Sequence, residues 1–280
     1  MAVSKRFLWI SLAVFTVLMA VLAFGNIDYN ISKDIVNPDS SWAGFFNLFG
    51  EQPAFIALYA GIIILHGARK REGRWKNALK ITLSSILILV AAFQISFMPV
   101  HYLFEHTEES ITPGWWIFTI AATFILAGLG LVAAERISTE KLRSVRKIGI
   151  VLILLVVSEI VLVNILKILW ARPRMRSMDS MDQFRHWYMI GGPTRNNELK
   201  SFPSGHTANG FVAIAFSMFF SGVKKVKANL YLAFALVWGI LVALSRVVRG
   251  DHFLSDVLMS CIITTILFLL IKKFVYKRGA

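Results

Sequence analysis

Cysteine is nearly absent from this chain, and the single one, Cys261, lies inside an apolar run. One thiol excludes an internal disulfide and any cysteine-based metal centre. Acidic residues are scarce as well: 16 Asp and Glu stand against 30 Lys and Arg, for a formal charge of +14. There is no internal repeat, no low-complexity linker, and no small-residue cleavage site in the FGNIDYN that follows the first apolar run. Nor do aromatics stud a basic face in the way that would stack bases, so the positive charge does not read as nucleic-acid binding.

What the chain has instead is apolar length. Over its 280 residues it is 56% hydrophobic with a mean hydropathy of +0.64, against roughly 45–50% apolar for soluble domains. Eight runs approach the length needed to cross roughly 30 Å of hydrocarbon: 7–24, 53–66, 78–100, 115–134, 148–170, 204–222, 230–248 and 253–271. The second is short unless the FFNLFG before it dips into the interface. The expected fold is therefore all-α, a polytopic transmembrane bundle of about eight spans forming a single membrane domain over 1–280. The first run, behind MAVSKR, reads as a retained span rather than a cleaved leader. Most of the 30 Lys and Arg fall in alternate connections and at both ends. By the positive-inside rule this places both termini in the cytoplasm.

Two connections invite other readings. The stretch 25–44 carries Asp28, Asp34 and Asp39 and reads as a solvated connector. HYLFEHTEES brings His101, His106 and nearby carboxylates together, but H-x4-H followed by carboxylates matches no strong ligand signature, and a solvated turn is the simpler reading. No metal site is expected there.

The Lys and Arg that break the charge rule concentrate in 167–200 and 245–256 on the outer face, and the exceptional residues there fall in three stretches. KILWARPR (Lys167 to Arg174) ends the fifth run, PSGH (Pro203 to His206) opens the sixth, and SRVVRGDHFLSD (Ser245 to Asp256) bridges the seventh and eighth. Ionisable groups at membrane depth cost about 2.5–3.5 kcal/mol each on insertion scales, so a function should hold them there. PSGH offers a helix N-terminus, with Ser204 as cap and Gly205 allowing close backbone approach to an anion. Lys167, Arg174 and Arg246 add positive charges suited to phosphoryl oxygens. His252 and Asp256, one turn apart if a helix starts near His252, resemble a nucleophile or base oriented by a carboxylate. His206 is then free to protonate a leaving oxygen. The set fits phosphoryl transfer.

These stretches resemble the three-part signature of the type 2 phosphatidic acid phosphatase superfamily: K-x6-R-P, P-S-G-H and S-R-x5-H-x3-D. Pro203 to His206 match the second completely, and Ser245, Arg246, His252 and Asp256 match the third. In the first, Lys167 and Arg174 keep the spacing while Met175 stands where proline is usual. Pairing Lys167 with Arg172 would keep the Arg-Pro dipeptide but shorten the spacer, and a continuing helix would return Arg174, not Arg172, to the face of Lys167. The resemblance covers roughly the last 120 residues, within 148–280, which carries the three motifs, and implies a six-span phosphatase core, with 78–134 as an extra helical hairpin.

It further implies a hydrolase acting without metal or other cofactor. His252 attacks phosphorus to form a phosphohistidine, Asp256 fixes its tautomer, and His206 protonates the leaving alkoxide. Lys167, Arg174, Ser204, Gly205 and Arg246 hold the phosphoryl oxygens. The implied substrate is a membrane lipid bearing a phosphate monoester or diphosphate, met at the outer leaflet of the cell membrane. The rival reading is a transporter or flippase that binds a phosphorylated lipid without hydrolysing it; it has no need of His206, His252 and Asp256. Arg172, Arg249 and Asp251 lie near the site outside the matched positions. The stretch 175–202 reads as a surface segment contributing headgroup specificity or a lid, or as an idle loop. Glu159, on a helix face similar to that of Lys167 but deeper, reads as a partner for a neighbouring helix.

Overall fold

The structure, a computed structural model, describes residues 5–70, 73–105, 107, 109–220 and 225–277. Among them there is no β-strand. The helices are α1 (Lys5–Val21), α2 (Ile27–Asp34), α3 (Ser41–Phe49), α4 (Gln52–Gly67), α5 (Arg74–Phe104), α6 (Pro113–Arg136), α7 (Thr139–Ser144), α8 (Arg146–Trp170), α9 (Gly205–Phe211), α10 (Lys225–Val248) and α11 (Leu254–Lys277). The protein is all-α, as the length of its apolar runs leads one to expect.

Six segments are long and apolar enough to cross a bilayer: Ser41–Gly67, Arg74–Phe104, Pro113–Arg136, Arg146–Ser177, Val226–Val248 and Leu254–Lys277. The expected count of about eight is not reached among the described residues. The apolar part of α1, Arg6–Val21, falls short of that length. The expected span 204–222 is a seven-residue α9 continued by a 3-10 helix, Val212–Phe220. Its opening GHTANG turns polar groups inward, with His206 and Thr207 buried, so this start serves the protein interior rather than the lipid.

The chain forms two compact units, one of residues 52–156 and 271–280, the other of residues 1–51 and 157–270. In the first, α4, α5 and α6 close on a core of Ile62, Ile88, Ala91, Ala92 and Ala127. The Tyr59 hydroxyl donates to the Leu126 carbonyl at 2.5 Å, which satisfies a polar group where lipid offers no partner. At one end His66 meets Ser84 Oγ at 2.6 Å and Glu135 Oε1 at 3.3 Å, and Arg69 bonds the same carboxylate at 2.8 Å.

In the other unit, α1 buries Leu8, Phe15 and Met19, and Leu22 just beyond it, along one face, and exposes Trp9, Val14, Val17 and Val21. That division is what a helix between protein and lipid requires. Phe15 meets Phe211 of α9 edge to face at 5.8 Å. Helices α3 and α9 pack on α10. A Cβ at Gly239 of α10 would sit 2.2 Å from Phe211 Cδ2, so only glycine admits that ring. The stretch 25–44 is not the expected solvated connector. It folds into α2 and the start of α3, and buries Asp28 and Ser32. Asp28 has charged and polar partners inside the protein, described next, which is why burying it is tolerable.

Candidate active site

Each of the three sequence clusters sits at a helix end. Helix α8 ends at Trp170, and Ala171 turns the chain with a left-handed φ of 47°. The helix therefore does not continue to Arg174, and the reason expected for its placement fails. Arg174 arrives instead on extended backbone (φ −78°, ψ 148°), tied by its N–H to the Glu198 carbonyl at 2.8 Å. Its guanidinium donates to the Asp251 and Asn197 carbonyls, both at 3.3 Å. Lys167, still on α8, donates from Nζ to the Lys200 carbonyl at 3.1 Å.

PSGH begins with a cis Phe202–Pro203 bond. Ser204 is the cap of α9, its Oγ accepting from the Thr207 N–H and hydroxyl. The segment is held to α11 by Ser204 N–H on the Asp256 carbonyl at 3.2 Å and by Ser260 Oγ on the Ser204 carbonyl at 2.8 Å. A Cβ at Gly205 would meet Lys167 Cε at 3.7 Å, so the backbone here lies against the lysine stem.

The third cluster is a helix stop followed by a helix start. Gly250 takes φ +74°, its N–H reaches the Val247 carbonyl at 2.9 Å, and the Asp251 N–H reaches the Arg246 carbonyl at 3.1 Å. That is the Schellman ending, and glycine is the residue that takes such a φ without penalty. It sets Asp251 back against Arg246, whose Nη2 lies 2.6 Å from Asp251 Oδ2. Arg176 Nη1 holds the other Asp251 oxygen. Arg246 Nη1 donates to Asn47 Oδ1 on α3, and Arg246 Nε is buried with no hydrogen-bond partner. An orphaned buried donor marks a place for an acceptor.

Helix α11 starts at Leu254, two residues after His252, so His252 and Asp256 are not stacked on one helix face as expected. Asp256 Oδ2 instead accepts from the Phe253 N–H at 2.9 Å, the back-reaching half of a capping box. His252 Nδ1 lies 3.6 Å from Asp256 Oδ2, too far for a hydrogen bond. Ser201 bridges the gap. Its hydroxyl donates to Asp256 Oδ2 at 2.5 Å, so its lone pair is what His252 Nδ1–H meets, at 3.5 Å. The imidazole then keeps the lone pair of Nε2.

Electrostatics agree with this assignment. Burial first, then the charges of Arg174, Lys167 and Arg246, push His252 well below the ordinary histidine range, with Asp251 opposing. Asp251 is pushed up by burial, yet Arg246, His252, Arg176 and Arg174 hold it below the ordinary carboxylate range. Lys167, Arg174 and Arg246 all lie near enough to act on His252. Arg246, His252 and Lys167 are also the charges that act on His206.

Several residues outside the matched positions also belong to the site. Asp28 accepts from Arg172 Nη2 at 2.8 Å and from the Ser255 N–H at 3.0 Å. Arg172, fully buried, donates from Nη1 to Asp256 Oδ1 at 2.5 Å and lies 4.3 Å above the Phe253 ring. Asn47 and Glu51 reach His206: Nε2 meets the Asn47 carbonyl at 3.1 Å, and Nδ1 lies 3.2 Å from Glu51 Oε1. Glu159 is buried, with one oxygen unpartnered, near the charges of Glu51 and Lys167. Among the described residues no cluster of His, Cys, Asp and Glu is arranged to hold a metal ion; His106 and Glu108 of HYLFEHTEES lie outside them.

Residues 148–280 match the model of the PAP2 superfamily. Over these residues the chain is similar to that superfamily. No curated protein and no solved structure matches the chain. The PAP2 match points to phosphatase chemistry on phosphate esters, and all eight residues expected at the site lie inside it. Asp28, Asn47 and Glu51 lie outside it.

Proposed function

We propose that this protein is a membrane phosphatase that removes phosphate from a lipid monoester or diphosphate at the outer face of the cell membrane, through a phosphohistidine on His252. The observation that carries this reading is the setting of His252: Nδ1 faces the Ser201 hydroxyl, which donates to Asp256, while the charges of Arg174, Lys167 and Arg246 act on the buried ring. Burial and the cations keep the imidazole neutral at neutral pH. A neutral ring with Nε2 unprotonated is a nucleophile.

In the first step Nε2 attacks phosphorus as the bond to the leaving oxygen breaks, and His206 supplies the proton that oxygen needs. Lys167, Arg174, the orphaned Arg246 Nε–H and the backbone at Ser204 and Gly205 receive the charge on the equatorial oxygens. As His252 becomes cationic, the Ser201–Asp256 pair stabilises it. In the second step water attacks the phosphohistidine and gives its proton to His206, which resets both histidines. Three fixed cations supply the field a divalent metal would supply, so turnover should persist in EDTA.

The lipid assignment is supported by the apolar spans, and the outer-face assignment by the charge pattern. Next to the site, the segment 181–190 exposes Met181, Tyr188, Met189 and Ile190, a surface suited to the headgroup layer. We also propose that α5 and α6 are an addition to the phosphatase core. The test is phosphate release from a panel of lipid phosphates by purified protein in EDTA, with His252→Ala as control. Release that His252→Ala abolishes is expected. Tight lipid binding with no release would instead favour the transporter.

A further inference from the structure

His206 presents both ring nitrogens to acceptors. Nε2 meets a backbone carbonyl, Asn47 O, at 3.1 Å, and a carbonyl can only accept, so Nε2 carries a proton. Nδ1 lies 3.2 Å from Glu51 Oε1, with both side chains buried. A neutral imidazole with its proton on Nε2 would set a bare nitrogen against a bare carboxylate in a dry site. That contact is sound only if a second proton sits between them, on Nδ1 or on the Glu51 oxygen. Glu51 comes from the junction of α3 and α4, outside the PAP2 match.

We propose that Glu51 is the proton store of His206. The inference rests on the phosphatase reading above and deepens it. In the first step the Nε2 proton passes to the leaving oxygen as the P–O bond breaks and the His252 Nε2–P bond forms. The shared proton settles on His206 Nδ1, which leaves Glu51 as carboxylate. In the second step water loses a proton to His206 Nε2 as its oxygen bonds phosphorus and the P–N bond breaks, and the shared proton is drawn back toward Glu51. No proton is left over, and each turnover begins from the same state. Asn47 joins this device to the phosphate site, because its carbonyl faces His206 while its side-chain oxygen holds Arg246. Charges that bear on the pair include Arg246, His252 and Lys167 beside His206, and Glu159 and Lys167 beside Glu51.

A proton store matters only when the leaving oxygen needs a proton, and this separates it from a structural role. Glu51→Gln should be compared with wild type on a short-chain phosphatidic acid, whose leaving group is a poor alkoxide, and on p-nitrophenyl phosphate, whose leaving group departs unprotonated. The expected kcat loss is about 10²-fold on the alkyl ester and at least about 10-fold smaller on the aryl ester. Glu51→Asp, which keeps a carboxylate, should recover part of the alkyl-ester rate and guards against a misfolded Gln variant. Equal losses on both esters, or an unchanged alkyl rate, would overturn the proposal. Trapping of acid-labile phosphate from p-nitrophenyl phosphate isolates its parent: if wild type traps none, the phosphohistidine reading fails, whereas trapping with equal losses rejects Glu51 alone.

Discussion

Arg172 Nη2 lies 2.8 Å from Asp28 Oδ2, and neither side chain is more than 1% exposed. The same guanidinium holds Asp256 Oδ1 at 2.5 Å, so one arginine joins α2 to the carboxylate behind His252. From sequence Arg172 is placed only near the site, outside the matched positions. Removing Arg172 would leave two buried carboxylates without their cation. Such a loss typically costs about 3–5 kcal/mol. Arg172→Ala is therefore expected to lower the thermal midpoint in detergent sharply and to lose activity with it. Asp28→Asn keeps a hydrogen-bond acceptor for Arg172 and should be milder in both. A wild-type melting temperature for Arg172→Ala would refute the structural assignment.

The Asp28–Arg172 pair also shows where sequence reading stops. The three clusters were legible because they set charged or polar groups where lipid makes them costly, at spacings that repeat a known signature. The all-α fold was legible from apolar length. Asp28, Asn47, Glu51 and Ser201 were not, since each is a single polar residue with no periodicity of its own. Asp28, Asn47 and Glu51 find their partners more than a hundred residues away in the chain. The 204–222 run misled for a different reason. Hydropathy averages its polar opening with the apolar VAIAFSMFF that follows, and cannot register a change from α to 3-10 winding.

The orientation can be checked at Asn196, which is exposed on the segment beside Arg174. With Cys261 buried, a cysteine placed at Asn196 should react from outside intact cells with a membrane-impermeant maleimide. A reporter fused after the chain's last residue should read cytoplasmic. Labelling at Asn196 only after the membrane is opened would reverse the topology and remove the outer-face substrate.

Arg174 ties geometry to pH. It is the foremost of the cations that hold His252 below the ordinary histidine range, after burial itself. Attack requires the neutral ring, so a lowered pKa keeps the nucleophile available as pH falls, and the acid limb of kcat/KM should lie below about 6.5. Arg174→Ala removes a charge that disfavours the imidazolium, so the limb should move up toward the ordinary value. The rate on the plateau should fall by about 10²-fold, as for loss of one transition-state donor. A pH profile of kcat/KM on p-nitrophenyl phosphate reads both effects. A limb that stays in place or moves to lower pH would show that Arg174 does not act on His252.

The last expectation concerns how a lipid reaches the site. Ile190 is 66% exposed and Tyr188 47%, on a segment whose backbone is anchored to the end of α8 by Gly191 N–H on the Trp170 carbonyl at 2.8 Å. An isoleucine so placed is wasted in water but gains on entering the headgroup and acyl boundary, where full burial of its side chain yields about 1.5–3 kcal/mol. Ile190→Glu should therefore raise KM for a long-chain lipid phosphate in vesicles by about 10-fold, the low end of that range. On a short-chain soluble ester, which needs no bilayer contact, the same variant should keep its KM and its turnover. An equal rise on both substrates would place Ile190 in the fold of the site rather than at the membrane surface.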